Sequence, residues 1–302
     1  MIKIKSPVTG SYNTAVIRDI SVARIISLYK DELQFDISEY FHGLDTIQLC
    51  KCEDTGYRFY YPFDIFGDDK FYQHLQNFEN YYSRDKWEYK AVSKLIPDDK
   101  KVLEIGSGGG HFLQRLLGKG KPELRGIELN SKAVSEARAK GLDVTNETID
   151  EFAKKNAESF DVVCSMQVLE HITEIRSFIL SSLQVLKKGG QMIICVPNNN
   201  PFLYRHDFFH TLNLPPHHAG LWNREAFSSL PRFFPMKLSN VFIEPLQDYK
   251  KWYKTQIEHY KELRNPAAGI LSLVPRPVYK VPLILLRKYI EGRNILVEFI
   301  KD

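Results

Sequence analysis

Between residues 100 and 197, short apolar runs alternate with stretches whose apolar residues recur every three or four positions. The runs cover 101–105, 124–129, Val144 with its neighbours, 161–165 and 192–196. Runs of this length, bounded by turn residues, predict buried strands. Between them, 131–140 with Asn130 or Ser131 as N-cap and 174–186 ended by Gly189 and Gly190 predict helices. Strands alternating with helices predict βαβ units and a parallel sheet. Ahead of this block, 46–52 and 57–61 read as a hairpin around the turn sequence Glu53-Asp54-Thr55-Gly56. Behind it come a helix at 224–230, a strand at 238–244, a long helical insertion punctuated by prolines and a last strand at 294–301. No internal repeat is present.

Composition narrows the field. With 302 residues the chain holds one large domain or two ordinary ones, and 43% hydrophobic and 26% charged residues exclude disorder and fibrous repeats. A net charge of +4 is too small for the uniform field that nucleic acid rewards, so no nucleic-acid partner is expected. Cys164 and Cys195 sit in apolar runs, and with Cys50 and Cys52 they do not form a secreted disulfide framework. Residues 1–11 carry no apolar leader, so a cytoplasmic protein is expected. No apolar run reaches the ~18 residues of a spanning helix. Aromatic residues reach 13%, and they concentrate at 59–89 and 202–222.

The richest chemistry lies in Val102-Leu103-Glu104-Ile105-Gly106-Ser107-Gly108-Gly109-Gly110-His111-Phe112. A buried strand runs into glycines and then into a helix, a place where a ligand approaches the backbone without Cβ obstruction. A dinucleotide loop would need Gly or Ala at position 111, and a phosphate loop would need Gly-Lys-Ser/Thr; neither is present. The spacing of Glu104, Gly106, Gly108 and Gly110 resembles that of the class I S-adenosylmethionine-dependent methyltransferases. Glu128 ends the second strand 22 residues after Gly106, where a carboxylate can accept ribose hydroxyls. The segment from Phe160 to Ile172, with Leu169-Glu170-His171, is similar to the fourth-strand motif of the ubiquinone-biosynthesis O-methyltransferases and their relatives. Leu186-Lys187-Lys188-Gly189-Gly190 resembles their fifth-strand signature.

The resemblance implies a Rossmann-like α/β fold: a mostly parallel seven-stranded sheet with its last strand antiparallel. It implies S-adenosylmethionine as cofactor, held by Glu104, Gly106, Ser107, Gly108, Gly110, Glu128, Leu129, Thr148, Ile149, Met166 and Gln167. In relatives the aromatic segment 71–89 closes over the cofactor, so Tyr81, Tyr82 and Trp87 are candidates to cover its methionine end and Arg84 to reach the carboxylate. A plain packing helix is the alternative there.

Methyl transfer is a direct displacement that depends on alignment, and a hydroxyl acceptor also benefits from a base. His206, His210, His217 and His218 follow the fifth strand. Leu214-Pro215-Pro216-His217-His218 with Trp222 resembles a stretch of glycan- and small-molecule-modifying methyltransferases. His217 or His218 is therefore the expected base, with His171 orienting the loop or serving in its place. His206 and His210 have the spacing of a metal pair but no third ligand, so a lining role is expected and no metal is required. The Asn/Asp-Pro-Pro-aromatic box of base-modifying enzymes is absent after the fourth strand. The expected acceptor is a sugar, glycan or small hydroxyl-bearing metabolite. The rivals are a silent cofactor-binding module and an RNA or protein methyltransferase.

Two flanking regions complete the expectation. Ser6-Pro7-Val8-Thr9-Gly10-Ser11 and Cys52-Glu53-Asp54-Thr55-Gly56-Tyr57 resemble a zinc ribbon in which Ser6, Thr9, Cys52 and Thr55 stand at the four ligand places. Only one of them is a zinc-type ligand, so no zinc is expected. The chain thus divides into a ribbon and lid region, 1–90, and a catalytic domain, 91–302, with insertions at 198–222 and 245–290. Residues 250–261 and 275–288 are basic and partly apolar. They are read as a helix pair packed on the core with its basic residues outside; contact with a membrane or a lipid-linked substrate is the alternative.

Overall fold

The computed structural model describes residues 3–76, 86–119, 123–200 and 210–302. Two sheets organise them. The larger has the order β10-β11-β8-β7-β4-β5-β6. Its members are β4 (Val102–Ile105), β5 (Leu124–Ile127), β6 (Val144–Thr145), β7 (Phe160–Met166), β8 (Leu186–Pro197), β10 (Met236–Pro245) and β11 (Glu291–Lys301). The pairs among β4 to β8 are parallel, and β11 runs antiparallel to both neighbours. Leu103, Val163, Ile194 and Val297 are buried, as a sheet covered on both faces requires. The crossovers are α4 (His111–Leu117), α5 (Ser131–Ala139), α6 (Ile149–Ala153), α7 (Ile175–Val185) and α8 (Arg224–Ser229), while α3 (Trp87–Leu95) leads into β4.

The caps explain where several helices start. The Asn130 side chain accepts from Ala133 N at the head of α5. Thr148 and Glu151 form a reciprocal capping box at the head of α6. One expected stop signal is different. Gly189 and Gly190 do not terminate α7: the chain turns extended at Leu186, and both glycines lie inside β8. Gly190 is packed so tightly that a Cβ would stand 2.8 Å from the Lys187 carbonyl oxygen.

The smaller sheet has the order β1-β2-β3-β9, from β1 (Thr14–Ser21), β2 (Thr46–Cys52), β3 (Arg58–Tyr61) and β9 (Gly220–Leu221). Helix α1 (Val22–Leu33) buries Val22, Ile25 and Tyr29, a three- and four-residue spacing on one face, against it, and α2 (Asp69–Gln76) adds Phe71 and Leu75 to the same cluster. Strand β9 comes from the 198–222 insertion and completes the N-terminal sheet, and α3 runs through the boundary expected at residue 90. Cys50, Cys52, Tyr57 and Phe59 pack in the same cluster as Val163, Ile194 and Val297. The two blocks therefore share a core rather than meeting at a linker.

The ribbon region is held by hydrogen bonds. Ser6 Oγ accepts from Val8 N and Thr9 N, Ser11 Oγ donates to Asp54, and Thr9 Oγ1 lies 3.9 Å from Cys52 Sγ. Tyr57 packs on Trp222 with ring centroids 4.3 Å apart.

Candidate active site

A cleft of about 770 Å³ opens at the carboxyl ends of β4, β5 and β7. That is where ligands bind in an open α/β sheet, and the volume suits a nucleoside-sized molecule with room beside it. One wall is the glycine loop. Gly106 and Gly108 take φ of +73° and +51°, conformations that favour glycine. A Cβ on Gly106 would stand 2.3 Å from Val168 Cγ2. Gly106 N and Ser107 N both donate to the Ile127 carbonyl, which ties the loop to the end of β5.

Glu128 locks this wall from the other side. Its Oε2 accepts from Gly108 N at 2.8 Å and its Oε1 from Asn130 N at 2.8 Å. Asn146 fixes the turn by donating to the Glu128 and Leu129 carbonyls. A carboxylate accepts about four hydrogen bonds, so lone pairs remain for a ligand. Ser107, Leu129, Thr148, Ile149, Met166 and Gln167 line the same cleft. Ser107 Oγ is buried without a hydrogen-bond partner among the described residues. Gln167 sits at φ +57°, anchored by its N–H on the Cys195 carbonyl and its amide on Asn294. A glycine cradle, a partnerless hydroxyl and a half-committed carboxylate fit an adenosyl cofactor.

Two expected cofactor residues stand off the cleft wall. Glu104 is buried beneath the loop, because alternation on β4 turns it away. Its Oε2 has no hydrogen-bond partner among the described residues, and burial, then the nearby Glu128, push its carboxyl well above the usual range. Gly110 faces the helix layer, where a Cβ would stand 2.2 Å from Leu142 Cδ1; its glycine serves packing. Arg84, Tyr81, Tyr82 and His206 lie outside the described residues.

The opposite wall is built from distant segments. His171, which ends the short turn after β7, meets His217 and His218 with ring centroids 4.7 and 5.0 Å away, and the last two rings stack at 4.5 Å. The N-terminal block holds this segment in place. Tyr29 and Tyr60 donate to the carbonyls of Leu214 and Asn213, and Gly67 N donates to the Pro216 carbonyl. His218 Nδ1 donates to Asn213 Oδ1 at 3.0 Å, Asn213 Nδ2 to Asn199 Oδ1, and Asn199 Nδ2 to the Pro197 carbonyl. This relay fixes the His218 tautomer and leaves Nε2 as the proton-accepting nitrogen. His171 Nδ1 donates to the His217 carbonyl at 2.6 Å.

Burial keeps His171 and His218 uncharged near neutral pH. It lowers His171 to about 4, partly offset by that hydrogen bond, and lowers His218 well below the usual range with help from His217 and His171. Sequence reasoning missed Glu170, Asn213 and Tyr72. Glu170 lines the cleft with neither carboxylate oxygen hydrogen-bonded among the described residues, His171 Nε2 standing 3.8 Å from Oε1, and burial raises Glu170 to about 8. It is a protonated donor at neutral pH. Its place between a buried leucine and a histidine was its one sequence signal.

A methyltransferase-domain family model matches residues 74–240, more than half of the chain. The chain belongs to this methyltransferase family. Its fold is that of the class I S-adenosylmethionine-dependent methyltransferases, and S-adenosylmethionine is its cofactor. Over 108 residues it is 36% identical to a ubiquinone biosynthesis O-methyltransferase of Hahella chejuensis, covering 34% of this chain and 45% of that one. A protein of the same description from Aromatoleum aromaticum is 33% identical over 107 residues, again with 45% of its length covered. The methyltransferase thus spans under half the length of these curated relatives. A crystal structure of an S-adenosylmethionine-dependent methyltransferase from Archaeoglobus fulgidus superposes with a TM-score of 0.53 at 18% identity, covering 76% of this chain and all of that one. That likeness concerns the fold.

Proposed function

We propose that this methyltransferase methylates a hydroxyl of a sugar, glycan or similar small metabolite in the cytoplasm. The observation that carries the reading is the histidine wall, with His171 and His218 uncharged, facing the cofactor wall across one cleft. When bound, the cofactor supplies a sulfonium methyl group. An acceptor hydroxyl against His218 Nε2 passes its proton to that nitrogen as its oxygen takes the methyl, and the Asn213–Asn199 relay keeps the ring aimed. His217 is the alternate base, and Glu170, protonated, donates a hydrogen bond to an acceptor oxygen. The rings of Tyr72 and the histidines give an apolar face for a sugar or ring-bearing acceptor. The named O-methyltransferase relatives support oxygen as the methylated atom, and four buried free cysteines suit a reducing compartment.

The test is transfer of label from methyl-labelled cofactor into fractionated native extract. Label in the O-methyl group of a small molecule or glycan is the expected result. Label in RNA or protein overturns the acceptor class, and cofactor binding with no transfer into any fraction favours a silent module. Full turnover in both His217→Ala and His218→Ala removes the base assignment.

A further inference from the structure

We propose that the insertion between β10 and β11 is a docking surface for an anionic lipid bilayer. It consists of α9 (Tyr249–Glu262), α10 (Ala267–Leu273) and α11 (Arg276–Leu286). Helices α10 and α11 are bent by 106° against one another. Helix α9 is the strut beneath them. Tyr253 OH donates to the Leu271 and Val274 carbonyls, and the Tyr253 and Tyr279 rings meet at 4.9 Å.

The expected packing, apolar side inward and basic side outward, is not what the structure shows. On α11 only Leu283 is buried. Ile270 is 67% exposed, Leu273 84%, Leu285 74% and Tyr289 85%. Val278, Val281 and Leu285 follow one another at three- and four-residue steps and form a single exposed stripe. Scattered exposed apolar residues need no explanation, but a contiguous set of them marks an interaction site.

Charge selects the partner. No Asp or Glu stands between Glu262 and Glu291, while Arg264, Arg276, Lys280, Arg287 and Lys288 all fall in that interval. Of the acids just outside that interval, Glu291 accepts from Asn198 and Asn200, Glu258 pairs with Lys254, and Asp248 caps α9 and pairs with Arg293, while Glu262 stands exposed at the end of α9. Apolar side chains flanked by cations, with no acid among them, match an anionic headgroup layer over acyl chains. A second copy of the same face would set cation against cation. No single described helix is long and apolar enough to cross a membrane, and α10 and α11 reach that length and composition only as a pair bent by 106°. The cations at 276, 280, 287 and 288, spread along α11 and just past its end, favour a surface-lying arrangement.

The placement gives the surface a use. Asn294, near the start of β11, pairs with Pro197 at the carboxyl end of β8, so the insertion springs from the edge of the sheet where the cleft opens. Arg293 lines that cleft. A chain resting on lipid through α10 and α11 brings the cleft near the bilayer surface. The inference does not depend on the acceptor proposed above.

The experiment is co-sedimentation of the full chain with vesicles of phosphatidylcholine alone and of phosphatidylcholine with phosphatidylglycerol. Binding is expected to the mixed vesicles and to fall steeply with added salt. Leu273→Asp with Leu285→Asp abolishes it. Arg287→Ser with Lys288→Ser weakens partitioning about twenty-fivefold, about fivefold per cation. Cofactor affinity by calorimetry stays unchanged in both variants, which shows that they remain folded. Failure of the wild-type chain to sediment with mixed vesicles at low salt overturns the proposal, as does equal sedimentation by the aspartate variant. So does a concentration-dependent dimer that the aspartate variant dissolves, which would assign the face to a second copy.

Discussion

Removal of the Glu128 carboxylate should disable cofactor binding while leaving the fold intact. Both of its oxygens accept backbone N–H groups at 2.8 Å, one from the glycine loop and one from the turn after β5. Glu128 lines the cleft, so its remaining lone pairs are open to a ligand there, where the cofactor assignment puts the ribose. A hydrogen bond to a charged acceptor contributes about 1.5–3 kcal/mol. Losing two from the cofactor costs about 3–6 kcal/mol, a drop of more than about 100-fold in affinity. Glu128→Ala should show this in calorimetry with S-adenosylmethionine. Glu128→Gln is the sharper probe. An amide NH2 at either oxygen position sets a donor against Gly108 N–H or Asn130 N–H, so the near-isosteric change should still weaken binding by about tenfold or more. A dissociation constant within about threefold of wild type for Glu128→Ala refutes the cofactor assignment.

The acceptor wall gives three further predictions. Asn213→Ala unfixes the His218 tautomer and should lower turnover about 10- to 100-fold with cofactor affinity unchanged; equal losses in both would place Asn213 in general packing. Glu170 titrates at about 8 in the folded chain against 4.5 in the unfolded chain. Its contribution to stability is complete below pH 4.5 and is lost as pH rises through 8, at about 1.4 kcal/mol per pH unit within that window. Melting temperatures followed across this range should fall more steeply for wild type than for Glu170→Gln, and parallel curves would reject the raised value. Ligand atoms of His171, His217 and His218 lie within 4.8 Å of one another. A chelator should therefore leave turnover unchanged, whereas added Zn2+ should inhibit by occupying the base. Loss of activity on chelation would make the cluster a required metal centre.

The cofactor wall was legible in the sequence because its geometry is local. Gly106 and Gly108 need positive φ within a few residues of β4, and Glu128 lies one crossover away. The acceptor wall was legible only in part. His217 and His218 stood out as a motif, but His171 lies 46 residues from His217, and nothing in either segment announces that they touch. Their meeting depends on Tyr29 and Tyr60, which belong to a block read as a separate ribbon. Glu170 was hidden because its importance lies in burial without a hydrogen-bond partner among the described residues, which no local sequence pattern announces. The sequence pattern places the end of α7 within one residue of Val185 but credits its stop to Gly189 and Gly190, which have a helix-stop composition and yet serve the tight entry of β8. In the insertion, alternating apolar and basic residues define two faces without saying which one points outward.

The two walls have different architectural origins, and this bears on how the site is specified. Residues 105–167 supply the cofactor side as successive strand ends of one sheet, so its geometry follows from the fold. The acceptor side follows from the grip of a second sheet on residues 211–221: β9 pairs with β3, Thr211 donates to Glu32, and Tyr60 holds the Asn213 carbonyl. A substitution in that grip moves imidazoles without touching a cofactor contact. Aromatic residues that look like surplus core in the composition, among them Tyr29, Tyr60 and Trp222, are the packing that keeps the grip rigid. Acceptor choice is thereby free to change through the N-terminal block while the strand-end residues continue to bind the same methyl donor.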